Sequence, residues 1–425
     1  MTTPSRSALW LTGHPPLEFA KYGANRRRSG ASVGDAMTGS ESGSNKGRYP
    51  SADELMAQVA VATGLSDFGP GDFGEGLAVL LASVAADAEF DPSADDAVLS
   101  TFRRRLENRL LLEAWLTEHP NVLEMPVIGP VDIIGLPRTG TTALANMMSL
   151  DPQFRCLRGW EQSSPIPPPS LATDSLDERR LRAQAENAHL SAEMLAMHLY
   201  DLDATTEDSE VLGMAFHGQQ YTLPVYGYHR WWRAADFTET YRYHRRVIQV
   251  LQSHDPPRTW LFKAPHHKFH PEAIVAAYPD VRFVMTHRDP ARSIPSYSSL
   301  VSTIFPQAVA PRDLRQVGPE VSNHLRVGME QALAARDRLG EERFIDVHHQ
   351  ELTQDPIGEL HRVYEFLGLR FTNETEESVN QWHETNRSGA HGEHRYTPEQ
   401  FGLSADQIRD EFEFYIDRFG VELER

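Results

Sequence analysis

"IIGLPRTGTTAL", residues 133–144, closes an apolar run at a Gly-Leu-Pro-Arg turn and passes straight into a segment patterned as a helix. From Gly135 the spacing Gly-x-x-x-x-Gly-Thr-Thr is that of a phosphate-binding loop, with Thr141 standing where a nucleotide hydrolase carries its lysine. A strand feeding a glycine-rich turn and a helix start aims unpaired backbone N–H groups and the positive end of the helix dipole at an anion. Gly140 lets the backbone approach closely, Arg138 can fork onto a phosphate or sulfate, and the hydroxyls of Thr139, Thr141 and Thr142 add donors. An ordinary tight turn before a Thr-capped helix has the same short pattern, so the loop needs support from elsewhere in the chain. Without the lysine, ATP or GTP hydrolysis is not expected.

Composition narrows the classes. The 425 residues, 40% apolar and 24% charged, suit a soluble globular protein of one large domain or two ordinary ones. The single cysteine, Cys156, permits no intrachain disulfide and gives no sign of a secreted scaffold. A net charge of −19 argues against a nucleic-acid binder, which needs broad basic surface. No apolar run approaches the ~20 residues of a membrane helix. The first residues, "MTTPSRSALWLTGHPPLEF", have too short an apolar stretch and too many prolines for a secretory signal, so a cytoplasmic protein without a transmembrane segment is expected. Of 41 basic residues only four are lysines, Lys21, Lys46, Lys263 and Lys268, and the last two share one six-residue stretch.

Residues 1–50 are rich in Gly, Ser and Arg, show no sustained period and read as a disordered arm. A helical layer over 51–122 follows, opened by Ser51 as N-cap with Glu54 completing a capping box. After Pro126 the pattern becomes strand, turn and helix. "VDIIGLP", "TWLFKAP", "VRFVMTHRDP" and "RFIDVHHQEL" read as short buried strands alternating with helices, which predicts an α/β domain over 123–425 with a parallel sheet flanked by helices. Binding residues of such sheets gather at the carboxyl ends of the strands. A long helical insert, 151–258, carries the aromatic cluster "YTLPVYGYHRWWRAADF".

A second motif, "THRDPARSIPSYSSL", places Arg288 at the end of a buried strand and Ser296 on the following helix, where the two can converge on one phosphate. A third, Arg387-x-Gly389-x-x-Gly392-x-x-Arg395, lies near the C-terminus. Taken in order, these segments resemble the PAPS-dependent sulfotransferase family. "GLPRTGTT" is similar to that family's 5′-phosphosulfate loop, in the Pro-Arg-Ser-Gly-Thr-Thr form of its bacterial small-molecule and protein-tyrosine branches. The Arg288 and Ser296 pair resembles the family's 3′-phosphate site. The late segment resembles the loop that closes over the 3′-phosphate and adenosine, with Ser388 and Arg395 in place of the usual lysines. The resemblance spans about residues 125–425.

It implies a fold with a P-loop-like parallel sheet, in which the insert forms the acceptor side. It also implies an enzyme that moves a sulfuryl group from PAPS to a hydroxyl or amine of a small-molecule or lipid acceptor, leaving PAP and requiring no metal. Such in-line transfer calls for cations at the leaving oxygen, alignment of two substrates and a proton acceptor. Lys263 resembles the lysine that steadies the leaving oxygen in the protein-tyrosine branch, and His266 has a spacing from Arg288 similar to that of the cytosolic branch's catalytic histidine. Glu161 follows the phosphate-loop helix, as a glutamate of the protein-tyrosine branch does. The expected proton-handling pair is His266 and Glu161, with Lys263 as electrostatic partner and Glu207 in reserve. "HHKFH" shows no ligand spacing that can be placed on one helix, and no metal site is expected. Tyr221, Tyr226, Tyr228, Trp231 and Trp232 would line an apolar acceptor cleft or simply pack the insert onto the sheet. Two competing readings stand beside this one. A nucleotide kinase or NTPase with a degenerate loop would need a metal-binding carboxylate at a strand end, for which only Asp289 offers itself. A non-catalytic binding protein would keep the PAPS fold without turnover.

Overall fold

The computed structural model describes residues 49–87, 95–171, 173–187, 203–218, 225–304, 313–386 and 397–424. The arm read over residues 1–50 lies almost wholly outside these ranges, as do Tyr221, Arg387, Gly389 and Arg395. Three helices come first, α1 (Ala52–Thr63), α2 (Phe73–Asp87) and α3 (Asp95–Glu118). The Ser51 and Glu54 capping box starts α1, each side chain accepting from the other's backbone N–H. Then follow β1 (Ile128–Gly135), α4 (Thr141–Ser149), β2 (Phe154–Cys156) and α5 (Gly159–Gln162). The rest of the insert contributes α6 (Glu178–Asn187), α7 (Ser209–Met214), α8 (Tyr226–Ala234) and α9 (Thr238–Leu251). The chain returns to the sheet through β3 (Thr259–Lys263), α10 (Pro271–Ala277), β4 (Arg282–His287), α11 (Pro290–Ile304), α12 (Leu314–Leu339) and β5 (Phe344–His348). It finishes with α13 (His349–Gln354), α14 (Pro356–Leu367), α15 (Asn373–Thr385), α16 (Ala405–Glu411) and α17 (Glu413–Phe419).

The five strands form one parallel sheet in the order β2-β3-β1-β4-β5. Continuous apolar strands are what a sheet covered on both faces requires. Val131 and Ile133 of β1 pack with Leu144 and Met148 of α4 and with Leu360 and Val363 of α14. Ile134, Phe262, Phe283 and Met285 face the other way, into a core shared with α1–α3, α9, α10 and α12. The four strands expected from the sequence are present. The fifth, β2, escaped notice because three residues carry no measurable period; it forms by pairing Phe154–Cys156 with Thr259–Leu261 at the sheet edge.

Register decides where the site falls. Ile133 lies beside Lys263 on one side and Val284 on the other, and Gly135 lies beside Thr286. The ends of β1, β3 and β4 therefore sit side by side, and the phosphate loop, Lys263 and Arg288 leave the sheet at one edge.

The N-terminal helices are joined to the insert by Arg109 of α3, which is fully buried. Its guanidinium donates to the carbonyls of Phe68, Pro70 and Met214 and lies between the rings of Phe73 and Tyr243, 3.9 and 3.7 Å from their centroids. Arg104 and Arg105 add ion pairs to Glu210 of α7, whose carboxyl is held down to about 2: burial acts to raise it, and the two arginines outweigh burial. No helix among the described residues is long and apolar enough to cross a membrane.

Candidate active site

Gly135 leaves β1 at φ +142°, and a Cβ there would lie 2.6 Å from the Thr286 carbonyl oxygen, so only glycine permits the two strands to meet at this point. Arg138 is held at φ 67° and Gly140 at φ 94°. A left-handed residue inside a turn swings successive N–H groups toward one point, the geometry of an anion nest, and α4 begins directly after it. For the non-glycine Arg138 this conformation costs roughly 1–2 kcal/mol, which its surroundings must offset. Its Nε donates to Ser296 Oγ at 3.2 Å, and its carbonyl accepts from Arg288 Nη1 at 3.2 Å. The phosphate loop, Arg288 and Ser296 are thus brought into direct contact. Thr139 takes a different part from the one expected: its hydroxyl is wholly buried, donating to Leu136 O at 2.6 Å and meeting Thr286 Oγ1 at 2.5 Å. It braces the loop from within. Thr141 and Thr142 open α4.

Arg288 borders a cavity of about 340 Å³ lined also by His287, His349, Gln350 and Glu424. Glu424 occupies the guanidinium fork, with Nε–Oε1 2.7 Å and Nη2–Oε2 2.9 Å. The carboxylate a kinase would need is otherwise engaged. Asp289 is fully buried, accepting from Arg409, from the Glu424 N–H and from the Ala291 N–H.

At the end of β3, Lys263 Nζ stands 3.4 Å from Glu207 Oε1; the lysine is buried, whereas 39% of the glutamate side chain is exposed. Lys268 turns inward instead, its Nζ donating to Pro265 O at 2.5 Å, and burial pushes its ammonium down to about 7. His266 is 2% exposed, and burial together with the charge of neighbouring His267 pushes it down to about 3. Its Nε2 is closed to solvent and stands 3.6 Å from Asp208 Oδ1, so the ring is not presented to a substrate as a base. His267, by contrast, is raised: burial disfavours its charge, but the Asp132 and Asp208 carboxylates outweigh burial.

Glu161 departs furthest from expectation. It is fully buried, and Arg155 and Arg158 hold both of its oxygens, at 2.7–3.2 Å, while Oε1 also accepts from the Arg158 N–H. The carboxylate is committed to fixing β2 against α5 and is not presented to a substrate. Burial acts to raise its carboxyl, and the two arginines bring it below its ordinary value. Because the folded value lies below the unfolded one, the triad's contribution is complete above about pH 4.3 and fades as pH falls through the folded value. Glu161→Gln should cost about 3 kcal/mol of stability at pH 7, since it leaves two buried guanidiniums short of charge. Thermal unfolding of both proteins at pH 7 and pH 4 checks this: the gap should narrow at the lower pH, and an equal gap would refute it.

The aromatic cluster divides. Tyr228 is fully buried and donates to Phe216 O and Gly218 O, at 2.8 and 2.9 Å, and Trp232 donates to His217 O at 2.7 Å while packing edge-on to Phe269. These two residues pack the insert. Tyr226 and Trp231 retain partial exposure, with Trp231 Nε1 donating to Glu75 at 2.9 Å.

A glycine-rich loop and two arginines meet at the carboxyl edge of a parallel sheet, the place where α/β proteins of this architecture bind their ligands. Residues 130–373 match the family described as the sulfotransferase family, and the chain belongs to it. It is similar to the crystal structure of sulfotransferase STF9 from Mycobacterium avium, at 33% identity and a TM-score of 0.81, over 88% of this chain and 98% of that one. It is also similar to sulfotransferase STF1 from Mycobacterium tuberculosis H37Rv, at 26% identity and a TM-score of 0.75, over 85% and 98% of the two chains. A comparison with curated proteins gives no match. The 88% coverage exceeds what residues 125–425, 301 of 425, can supply. The likeness therefore takes in part of the N-terminal segment that the motifs left outside.

Proposed function

We propose that the protein transfers a sulfuryl group from PAPS to a hydroxyl or amine of a small-molecule or lipid acceptor in the cytoplasm. The contact between the loop, Ser296 and Arg288 carries this reading, because it gathers a glycine-rich turn, a hydroxyl and two guanidiniums at one edge of the sheet. In this scheme the loop N–H groups and Arg138 hold the 5′-phosphosulfate, and Arg288 with Ser296 hold the 3′-phosphate. Arg387, Gly389 and Arg395 would close over it, on the resemblance alone. The acceptor oxygen attacks sulfur in line as the bond from sulfur to the phosphate oxygen breaks. Lys263 stabilises the charge that collects on that oxygen, and Glu207, half-exposed beside it, takes the acceptor's proton in preference to Glu161 or His266.

Calorimetric titration with PAP, beside ATP and adenosine 5′-monophosphate, tests the donor site. Selective binding of PAP supports it; no binding, or equal binding of ATP, overturns it. Glu424→Gln adds a finer check. A phosphate entering the Arg288 fork must displace this carboxylate, whose pairing is partly solvated and so worth about 1 kcal/mol. The variant should bind PAP roughly fivefold more tightly, and unchanged affinity would mean that Glu424 does not compete.

A further inference from the structure

Behind the Lys263 and Glu207 pair, three imidazoles surround one carboxylate in a region closed to solvent. Asp208, the residue after Glu207, is fully buried. Its Oδ2 lies 2.8 Å from His267 Nε2 and 3.0 Å from His244 Nε2, and its Oδ1 lies 3.6 Å from His266 Nε2. Ligand atoms of Asp208, His266 and His267 all fall within 4.8 Å of one another. Yet neither oxygen of Asp208, nor any of the three Nε2 atoms, makes an aligned hydrogen bond. A nitrogen and an oxygen at 2.8 Å miss a hydrogen bond only when the ring axis and the carboxylate do not face each other. Ligands of a common ion have that relationship, since each points at the ion.

In two of the three rings the other nitrogen has a fixed partner. His267 Nδ1 is 2.9 and 3.0 Å from the two oxygens of Asp132, and His244 Nδ1 is 2.7 Å from the Tyr278 hydroxyl. A carboxylate behind a ligating histidine fixes its tautomer and turns Nε2 to the ion. Asp132 is itself a charged residue inside an apolar strand, fully buried, so the region holds two carboxylates that need positive charge. Zinc bonds of about 2.0–2.2 Å place tetrahedral donors about 3.3 Å apart, and the separations from Asp208 to the three rings bracket that distance.

We propose that Asp208, His266 and His267 bind a divalent first-row transition ion, Zn2+ foremost, with His244 held against the Asp208 carboxylate beside them. The site is structural: closed to solvent, it clamps the start of α7 to the turn after β3 and so holds Glu207 beside Lys263. It does not depend on the sulfotransferase reading.

The test begins with the whole protein, purified without chelator or added metal and analysed by plasma mass spectrometry. About one Zn2+ per chain is expected, with loss of most of it in Asp208→Asn and His267→Gln. Metal retained in both folded variants would overturn the site. Should the variants fail to fold, wild-type protein is stripped with chelator and titrated with Zn2+ and Co2+. A rise in Tm with either ion, with the visible absorption of tetrahedral Co2+, supports the proposal. A protein that is metal-free as purified and shows neither response overturns it.

Discussion

Arg288→Ala should weaken PAP binding by about two orders of magnitude while changing the affinity for adenosine 5′-monophosphate less than threefold. A bidentate guanidinium contact to a phosphate supplies two charge-assisted hydrogen bonds of about 1.5–3 kcal/mol each, and each 1.4 kcal/mol is tenfold in Kd. The loss is moderated because Glu424 already holds the fork in the free protein, so some of the pairing is exchanged and not gained. Arg288 also donates to the Arg138 carbonyl, and its removal relaxes the loop slightly. The comparison with the monophosphate separates these effects: it shares the loop but has no 3′-phosphate. Equal losses for both ligands would show that Arg288 acts by shaping the loop, and would remove the basis for assigning it to the 3′-phosphate.

Lys263→Met should lower kcat by about 10²–10³ with PAP affinity little changed, the usual consequence of deleting one preorganised donor at a developing anion. Methionine keeps the length and the apolar stem, so a buried side chain at the end of β3 is replaced without a cavity. The variant also releases Glu207 from its only ion pair among the described residues. Single-turnover kinetics with a phenolic acceptor, read across pH, tests the assignment. A fall in rate at every pH places Lys263 at the leaving oxygen. A rate within threefold of the unsubstituted protein would remove Lys263 from the leaving oxygen.

How much of this was readable in advance follows the range of the interactions. The parallel sheet was legible because the buried strands are continuous apolar runs closed by turn residues, and the phosphate loop because its geometry is local. That Arg288 and Ser296 meet the loop also follows from their positions, since β1 and β4 turn out to be neighbours. The fate of Glu161 was legible in part: Arg155 and Arg158 stand six and three residues before it, close enough to neutralise it locally. Asp132 gave a signal as well, since a charge in an otherwise apolar strand requires a buried partner. The identity of that partner was not available, because His267 lies 135 residues further on and reaches Asp132 only once β3 has paired with β1. Glu424 had no signature, being one acidic residue in an acidic tail.

Arg109 gives the molecule a division of labour that the motifs conceal. Through its bond to the Met214 carbonyl, the position of α7 answers to α3, whereas the phosphate loop is rooted on β1 and answers to the sheet. Substitutions in residues 95–118 can therefore reshape the side proposed to meet the acceptor without disturbing the glycine-rich loop at the end of β1. On the proposed function, donor recognition and acceptor choice would then rest on different parts of one chain.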